Sequence, residues 1–185
     1  MTYYSQIAQD QYYIENIAKK RRNGVFLDIG ANDGIFTSNT ATLEFEYGWT
    51  GVCVEANPHL IADLTTNRPN SIIVNQAVWK EETQVQFEIP LKFKKDIPGN
   101  VLSRITGIED LDERNERYFK KQFDAGTEIV SVAANTATNI LEKTIGLPTV
   151  IDYMSLDTEG AEMEALESIN FDLIDSYLII TDSNI

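Results

Sequence analysis

Short apolar runs alternate along the chain with stretches whose apolar residues recur at helical spacing. The runs are typical of buried parallel strands and occupy residues 25–29, 52–55, 71–75, 151–156 and 177–181. Helices are predicted over residues 6–22, 38–47, 58–67, 136–146 and 160–169. Alternation of strand and helix predicts an α/β fold with a mainly parallel sheet and helices on both faces.

The middle of the chain interrupts this rhythm. Residues 84–89 alternate between apolar and polar side chains, which predicts a half-exposed strand, and another strand is predicted over residues 128–132. The charged stretch between them includes a predicted amphipathic helix over about residues 110–123. We interpret residues 1–185 as a single domain in which an insert or lid, at about residues 80–127, lies over the sheet.

The charge is strongly acidic, with 15 basic and 29 acidic residues and a net charge of −14. Nucleic-acid binding requires clustered Lys and Arg, so no nucleic-acid partner is expected. The basic residues gather in the insert, at Lys92, Lys94, Lys95, Arg104, Arg114, Arg117, Lys120 and Lys121. This cluster is either a solvated, salt-bridged face or a contact for an anionic substrate.

Cysteine content and hydropathy predict the compartment. Cys53 is the single cysteine, which excludes an intramolecular disulfide and a CxxC zinc site, and its apolar strand predicts an inert core residue. No apolar run approaches the roughly 20 residues of a membrane span, and the N-terminal segment lacks the apolar core of a signal peptide. We therefore predict a cytoplasmic protein without a membrane partner.

The segment Asp28-Ile29-Gly30-Ala31-Asn32-Asp33-Gly34 follows the first predicted strand. Open parallel sheets bind ligands at the carboxyl ends of their strands, where glycines allow close approach. Its G-x-x-x-G spacing differs from the nicotinamide fingerprint, and Asp28 suits an ammonium or sulfonium charge better than a pyrophosphate. Asn32 tolerates a positive φ. We expect Asp28, Gly30, Asn32 and Gly34 to bind a cofactor; an ordinary strand-to-helix turn is the alternative.

The next two strand ends extend this prediction. Glu55 ends the second strand, where a carboxylate can accept both hydroxyls of an adenosine ribose. Asn75 and Gln76 end the third strand, where their amides could contact an adenine edge or serve the structure alone.

A second acidic cluster lies where the fourth strand becomes a helix, at Asp157, Glu159 and Glu162. A helix dipole stabilises acidic residues near its N-terminus, which is sufficient to explain Glu159 and Glu162. Asp157 and Glu159, however, lie at the predicted ligand edge, where a carboxylate could orient or deprotonate a substrate hydroxyl. We predict these two as catalytic residues and give Glu162 less weight.

Other combinations of residues give weaker support for a functional site. Asp157, Asp182 and Asn184 form an all-oxygen set that could hold Mg²⁺, but such groups are common at strand ends and no metal site is predicted. His59 is the single histidine and is expected on the surface of a helix.

Taken together, these residues resemble the FkbM family of S-adenosylmethionine-dependent methyltransferases. The matching stretches are Tyr4-Ser5-Gln6 with Asp10, FLDIGANDG at 26–34, Ser38-Asn39-Thr40, Leu43-Glu44, Gly48-Trp49-x-Gly51, VEANP at 54–58, Arg68-Pro69, Ala77-Val78 and IDYMSLDTEGAE at 151–162. The resemblance implies a Rossmann-like methyltransferase fold, S-adenosylmethionine as cofactor and methyl transfer to a hydroxyl of a sugar, glycan or small metabolite. By position, Asp28, Gly30 and Gly34 would hold the methionine part, Glu55 the ribose, and Asp157 with Glu159 the acceptor.

The end of the sequence leads to one further expectation. Four residues follow Thr181, so we expect the sheet to lack the C-terminal antiparallel strand pair of such folds. The last strand would then be an open edge through which a homo-oligomer could form. The alternative functions are a truncated or degenerate methyltransferase fold that binds cofactor or a partner without catalysis, and a nicotinamide-dependent sugar-modifying enzyme, which the spacing at Gly30 disfavours.

Overall fold

A computed structural model of the chain describes residues 2–91, 103–107, 126–176 and 178–181. The strands in these ranges are β1 (Val25–Ile29), β2 (Thr50–Val54), β3 (Ser71–Val74), β4 (Ala77–Val78), β5 (Thr83–Pro90), β6 (Arg104–Ile105), β7 (Thr127–Asn135), β8 (Thr149–Ile151), β9 (Tyr153–Leu156), β10 (Ile174–Ser176) and β11 (Ile179–Thr181). The α-helices there are α1 (Gln9–Tyr12), α2 (Ala41–Tyr47), α3 (Ile61–Asn67), α4 (Ala137–Thr144) and α5 (Glu162–Glu167). None of these helices has the length and apolar character needed to cross a membrane.

The principal sheet has the order β11-β9-β1-β2-β3, and every neighbouring pair in it is parallel. The predicted parallel sheet is therefore confirmed, with β1 at its centre. Because the crossovers return each strand in the same direction, the carboxyl ends of β1, β2 and β9 meet at one edge.

Helices cover both faces of this sheet, as predicted. Successive strand residues point to opposite faces. On one face, Leu27, Met154 and other apolar residues of β1, β2 and β9 pack with α4 and α5. On the other, Phe26 and Tyr153 pack with Trp49 and with residues of α2 and α3. The two apolar layers fix the register of the strands, since a slip of one residue would exchange the faces.

The predicted strand over 151–156 is divided at Asp152, which is a correction to the sequence interpretation. The Asp152 carboxylate accepts hydrogen bonds from the Val25 backbone amide (3.0 Å) and from Arg21 Nη1 (2.6 Å). Residues before it form β8, which pairs in parallel with β10, and residues after it form β9. The sequence analysis did not predict β10.

The first predicted helix is also shorter than the expected 6–22. α1 continues as one π-helical segment, Tyr13–Ile17, and then ends. Lys19 and Lys20 adopt positive φ angles of 47° and 62°, which are incompatible with a continuing right-handed helix. By contrast, the predicted stop of α2 at Gly48 is confirmed, because this residue adopts a left-handed φ of 69°.

A second sheet has the order β4-β7-β5-β6 and forms from the middle of the chain. In β5, Val85 and Phe87 are buried while Gln86 is exposed, which confirms the predicted alternation. The helix predicted over 110–123 and every residue of the basic cluster except Arg104 lie outside the described residues. Arg104 lies 3.2 Å from Glu88 through its Nε atom. The insert or lid over about 80–127 and the single-domain boundary stay predictions.

Arg68 lies at the centre of the fold with its side chain fully buried. Its Nε atom donates to Glu44 Oε2 over 2.7 Å, and its Nη1 atom lies 3.8 Å from Asp28 Oδ2. The guanidinium also lies over the Phe26 ring, 5.1 Å from the ring centroid. Glu44 in turn accepts from the Asn70 backbone amide and the Ser71 hydroxyl. This network ties α2, the end of α3 and β1 together.

Replacing Arg68 with Met is expected to lower the free energy of unfolding by about 3–5 kcal/mol, because it leaves buried carboxylates without their cation. The matched control is Lys143→Met, since Lys143 lies 3.8 Å from Glu82 in a pair whose side chains are both exposed. The control should change stability by less than about 0.5 kcal/mol. Urea unfolding of both variants measures the difference; equal, small effects would contradict the role given to Arg68.

Candidate functional site

A cleft opens at the edge of the principal sheet where β1, β2 and β9 end, and the second sheet forms part of its wall. Its volume is about 810 Å³ when the space open to solvent is included. Seven of the nine residues predicted as cofactor-binding or catalytic line it: Asp28, Gly30, Asn32, Glu55, Gln76, Asp157 and Glu159.

Gly30 allows two strand ends to approach each other. It has a φ of +83°, and a Cβ atom placed on it would lie 1.7 Å from the carbonyl oxygen of Asp157. The Gly30 amide donates to the Val54 carbonyl (2.9 Å), and the Asp157 amide donates to the Ile29 carbonyl (2.9 Å). No side chain fits at this position, so glycine brings the ends of β1, β2 and β9 together.

Asn32 and Glu55 lock the loop that follows β1. Asn32 adopts a φ of 53°, which confirms the expected left-handed conformation. The Asn32 amide donates to Glu55 Oε2 over 2.8 Å, and the Asn57 amide donates to Glu55 Oε1 over 2.7 Å. Burial raises the pKa of Glu55, and hydrogen bonds from these backbone amides oppose that rise. The Glu55 carboxylate is therefore held in a fixed orientation at the cleft.

Asp28 is buried beneath the same loop. Its Oδ2 atom accepts a hydrogen bond of 2.5 Å from the Thr40 hydroxyl, and Ser155 is its register partner on β9. Burial raises the pKa of Asp28, against the opposing effects of Arg68 and of the Thr40 and Ser155 hydroxyl groups. The carboxyl group of Asp28 is thus a buried acid near the end of the central strand, compensated by the Arg68 guanidinium and the Thr40 hydroxyl.

The acidic cluster after β9 is divided between the cleft and the loop itself. Asp157 and Glu159 are half-buried and line the cleft. Glu162 Oε1 accepts from the Thr158 amide (3.0 Å) and the Gly160 amide (3.1 Å), so this side chain organises the loop ahead of α5. Glu159 adopts a φ of 55°, a backbone conformation that residues other than Gly and Asn rarely adopt.

Gly34 and Asn75 are the two predicted site residues that lie outside the lining of this cleft. A Cβ atom on Gly34 would lie 2.5 Å from Arg68 Cγ, so this glycine makes room for the buried arginine. Asn75 Nδ2 donates to the backbone carbonyls of Glu55 (2.8 Å) and Ala56 (3.2 Å) and thereby supports the loop after β2. Direct cofactor contacts by Gly34 and Asn75 stay predictions.

Sequence reasoning gave no role to several residues of this site, although Ser38-Asn39-Thr40 is among the stretches that match the family. The polar triplet Ser38–Asn39–Thr40 precedes α2, and Ser38 and Asn39 line the cleft while Thr40 donates to Asp28. Phe87 and Ile105 contribute an apolar wall from the second sheet. The run of three small polar residues ahead of a predicted helix could have indicated the first group from sequence alone. The apolar wall could not be predicted in this way, because it depends on the placement of the second sheet.

No group of three or more His, Cys, Asp or Glu side chains within the described ranges is arranged to hold a metal ion. Asp182 and Asn184, which the sequence analysis weighed with Asp157 as an oxygen set, lie outside those ranges. His59 is exposed, as expected, and its Nε2 atom lies 3.0 Å from Glu128 Oε2. It lies in the turn ahead of α3 and not within the helix.

Comparison with known proteins identifies one family. The family model described as the methyltransferase FkbM domain matches residues 28–181, from within β1 to the last residue of β11. No curated protein and no solved structure has a significant match to the chain. The family match confirms the resemblance drawn from the motifs, and the parallel sheet with helices on both faces agrees with a Rossmann-like methyltransferase fold.

Gly30→Ala is expected to destabilise the fold, because the added methyl group prevents the close approach between the ends of β1 and β9. The matched control is Gly146→Ala, because Gly146 has a φ of +80° and no atom within 4 Å of the added Cβ. Both variants carry left-handed strain of about 1–2 kcal/mol, and Gly30→Ala should lose about 2 kcal/mol more through overpacking. Chemical denaturation compares the two variants, and equal losses would contradict the close approach at Gly30.

Glu55→Gln is expected to change the pH dependence of stability. Because the folded-state pKa of Glu55 is raised, its contribution to stability is complete below the unfolded-state pKa and is lost as the pH rises through the folded value. Glutamine does not titrate, so the unfolding free energy of the variant relative to the parent should increase as the pH rises above about 4. Urea titrations at a series of pH values measure it, with Glu82→Gln at an exposed position as control; a pH-independent difference would refute the raised pKa.

Proposed function

We propose that this chain, which belongs to the FkbM methyltransferase family, is an S-adenosylmethionine-dependent O-methyltransferase that uses the cleft at β1, β2 and β9. The family establishes a methyltransferase in general terms. The methyl donor, the reaction at oxygen and an acceptor hydroxyl on a sugar, glycan or small metabolite are our proposal.

The observation that supports it most directly is the charge of the cleft lining. Four carboxylates line the cleft, at Asp28, Glu55, Asp157 and Glu159, and no Lys, Arg or His is among the described lining residues. A sulfonium or ammonium group is favoured in such a field, whereas a pyrophosphate is repelled. The lining therefore fits a cationic adenosine compound better than a dinucleotide, which also argues against the nicotinamide alternative.

The residues divide into a donor half and an acceptor half. Glu55 is fixed by the Asn32 and Asn57 amides, one on each carboxylate oxygen, and the remaining lone pairs would accept from the two ribose hydroxyls. Asp28 at the end of β1 would balance positive charge on the methionine part. When bound, S-adenosylmethionine supplies an activated methyl group for transfer to oxygen.

Asp157 and Glu159 would act on the acceptor. Both are half-buried and line the cleft, where a carboxylate oxygen can orient a substrate hydroxyl and take its proton. Phe87 and Ile105, which line the cleft from the second sheet, would exclude water from it. The chain's contribution to such a reaction is mainly positioning, because alignment of two bound reactants accounts for much of the rate of a transfer between them.

Calorimetry with S-adenosylmethionine and S-adenosylhomocysteine tests the donor site. Glu55→Ala should weaken binding by roughly tenfold or more, the expected loss for hydrogen bonds to a charged acceptor. Glu82→Ala removes an exposed carboxylate far from the lining and serves as the control. Absence of a binding signal from the folded parent protein for both compounds would overturn the proposal.

Transfer of a labelled methyl group to a panel of hydroxylated acceptors tests the reaction. Asp157→Asn should lower transfer while donor affinity changes by less than about twofold, because we place Asp157 at the acceptor. Donor binding without transfer to any acceptor would instead support the fold that binds cofactor without catalysis.

A further inference from the structure

Asn39 combines burial, a place in the cleft lining and an unused hydrogen-bond acceptor. The residue is 7% exposed and lies between β1 and α2. Its Nδ2 atom donates to Ser155 Oγ over 3.0 Å. Its Oδ1 atom is buried and has no hydrogen-bond partner among the described residues. Buried side-chain acceptors nearly always accept a hydrogen bond. We therefore expect this oxygen to accept one from a group that is not among the described residues.

The orientation of the Asn39 amide follows from its neighbours. The amide nitrogen of Asn39 faces Ser155 and donates to its hydroxyl oxygen over 3.0 Å. Ser155 in turn is the register partner of Asp28 on the neighbouring strand. The carbonyl oxygen Oδ1 is thus the group left for a ligand, and the ligand must donate.

The position of Asn39 distinguishes between the donor groups of the proposed cofactor. In the sheet, β1 lies between β2 and β9. Glu55 ends β2 and is the ribose candidate, whereas Asn39 is bonded to Ser155 of β9, on the opposite side of β1. Asp28 is the register partner of Ser155 and accepts from the Thr40 hydroxyl, next to Asn39 in the chain, so a carboxyl group lies beside Asn39. A donor that is also cationic is favoured there.

We propose that Asn39 Oδ1 accepts a hydrogen bond from the α-ammonium group of the methyl donor's methionine part, with Asp28 beside it as the balancing charge. This inference rests on the proposed function and deepens it, because it assigns a binding residue for the amino-acid half of the cofactor. Asn39 and Asp28 then supply one neutral and one charged acceptor to the same ammonium group.

The test compares two ligands that differ in the methionine part. S-adenosylhomocysteine carries the α-ammonium and carboxylate groups, and 5′-methylthioadenosine lacks both. Asn39→Leu should weaken S-adenosylhomocysteine binding by roughly tenfold while the affinity for 5′-methylthioadenosine changes by less than about twofold. Asn39→Asp keeps an acceptor oxygen and should lose less affinity for S-adenosylhomocysteine than Asn39→Leu does. Asn16→Leu, at an exposed helical position, is the control.

The outcomes separate this inference from the proposed function. A parent protein that binds neither compound overturns both. A parent protein that binds both, with an Asn39→Leu variant that loses affinity for the two compounds equally, overturns the ammonium contact alone and assigns Asn39 a structural role. Should Asn39→Leu fail to fold, Asn39→Ala takes its place, and the same selective loss of affinity for S-adenosylhomocysteine is then required of Asn39→Ala.

Discussion

The buried guanidinium of Arg68 is the interaction on which the rest of the structure depends. It pairs with Glu44 at 2.7 Å, lies 3.8 Å from Asp28 and donates to the Gly34 carbonyl at 3.3 Å. Without it, two carboxylates would be buried without a cation. The desolvation free energy of such a pair is large compared with the free energy of unfolding of a typical domain. Because Asp28 depends on Arg68, the charge at the end of the central strand is set by a residue outside the cleft lining.

Burial raises the pKa of both Asp28 and Glu55, so desolvation opposes the ionisation of each carboxyl group. Under the proposed function, a positively charged donor would reduce that cost, and its binding would favour the ionised carboxylates. Affinity for such a donor and the ionisation of these two acids would then be coupled.

Local sequence was sufficient to predict the site residues at strand ends, but it was insufficient to predict residues whose roles depend on tertiary packing. Gly30 and Glu55 were predictable because parallel strands end at one edge, whichever helices connect them. Arg68 and Asn39 were not, since their roles depend on partners 24 and 116 positions away. The division of the predicted strand at Asp152 likewise depends on Arg21 and the Val25 amide, which no periodicity within 151–156 reveals.

The two halves of the cleft are built to different degrees of rigidity, and this bears on specificity. Glu55 and Asp28 are buried and held by backbone amides, a hydroxyl and a guanidinium, so the proposed donor half is preorganised. Asp157 and Glu159 lie half-buried on the loop after β9, and Phe87 and Ile105 line the same cleft from the second sheet. The strands β5 and β6 pair with each other and with β7, outside the principal sheet. Under the proposed function, changes in these two strands would therefore alter which acceptor fits while Asp28 and Glu55 keep their positions.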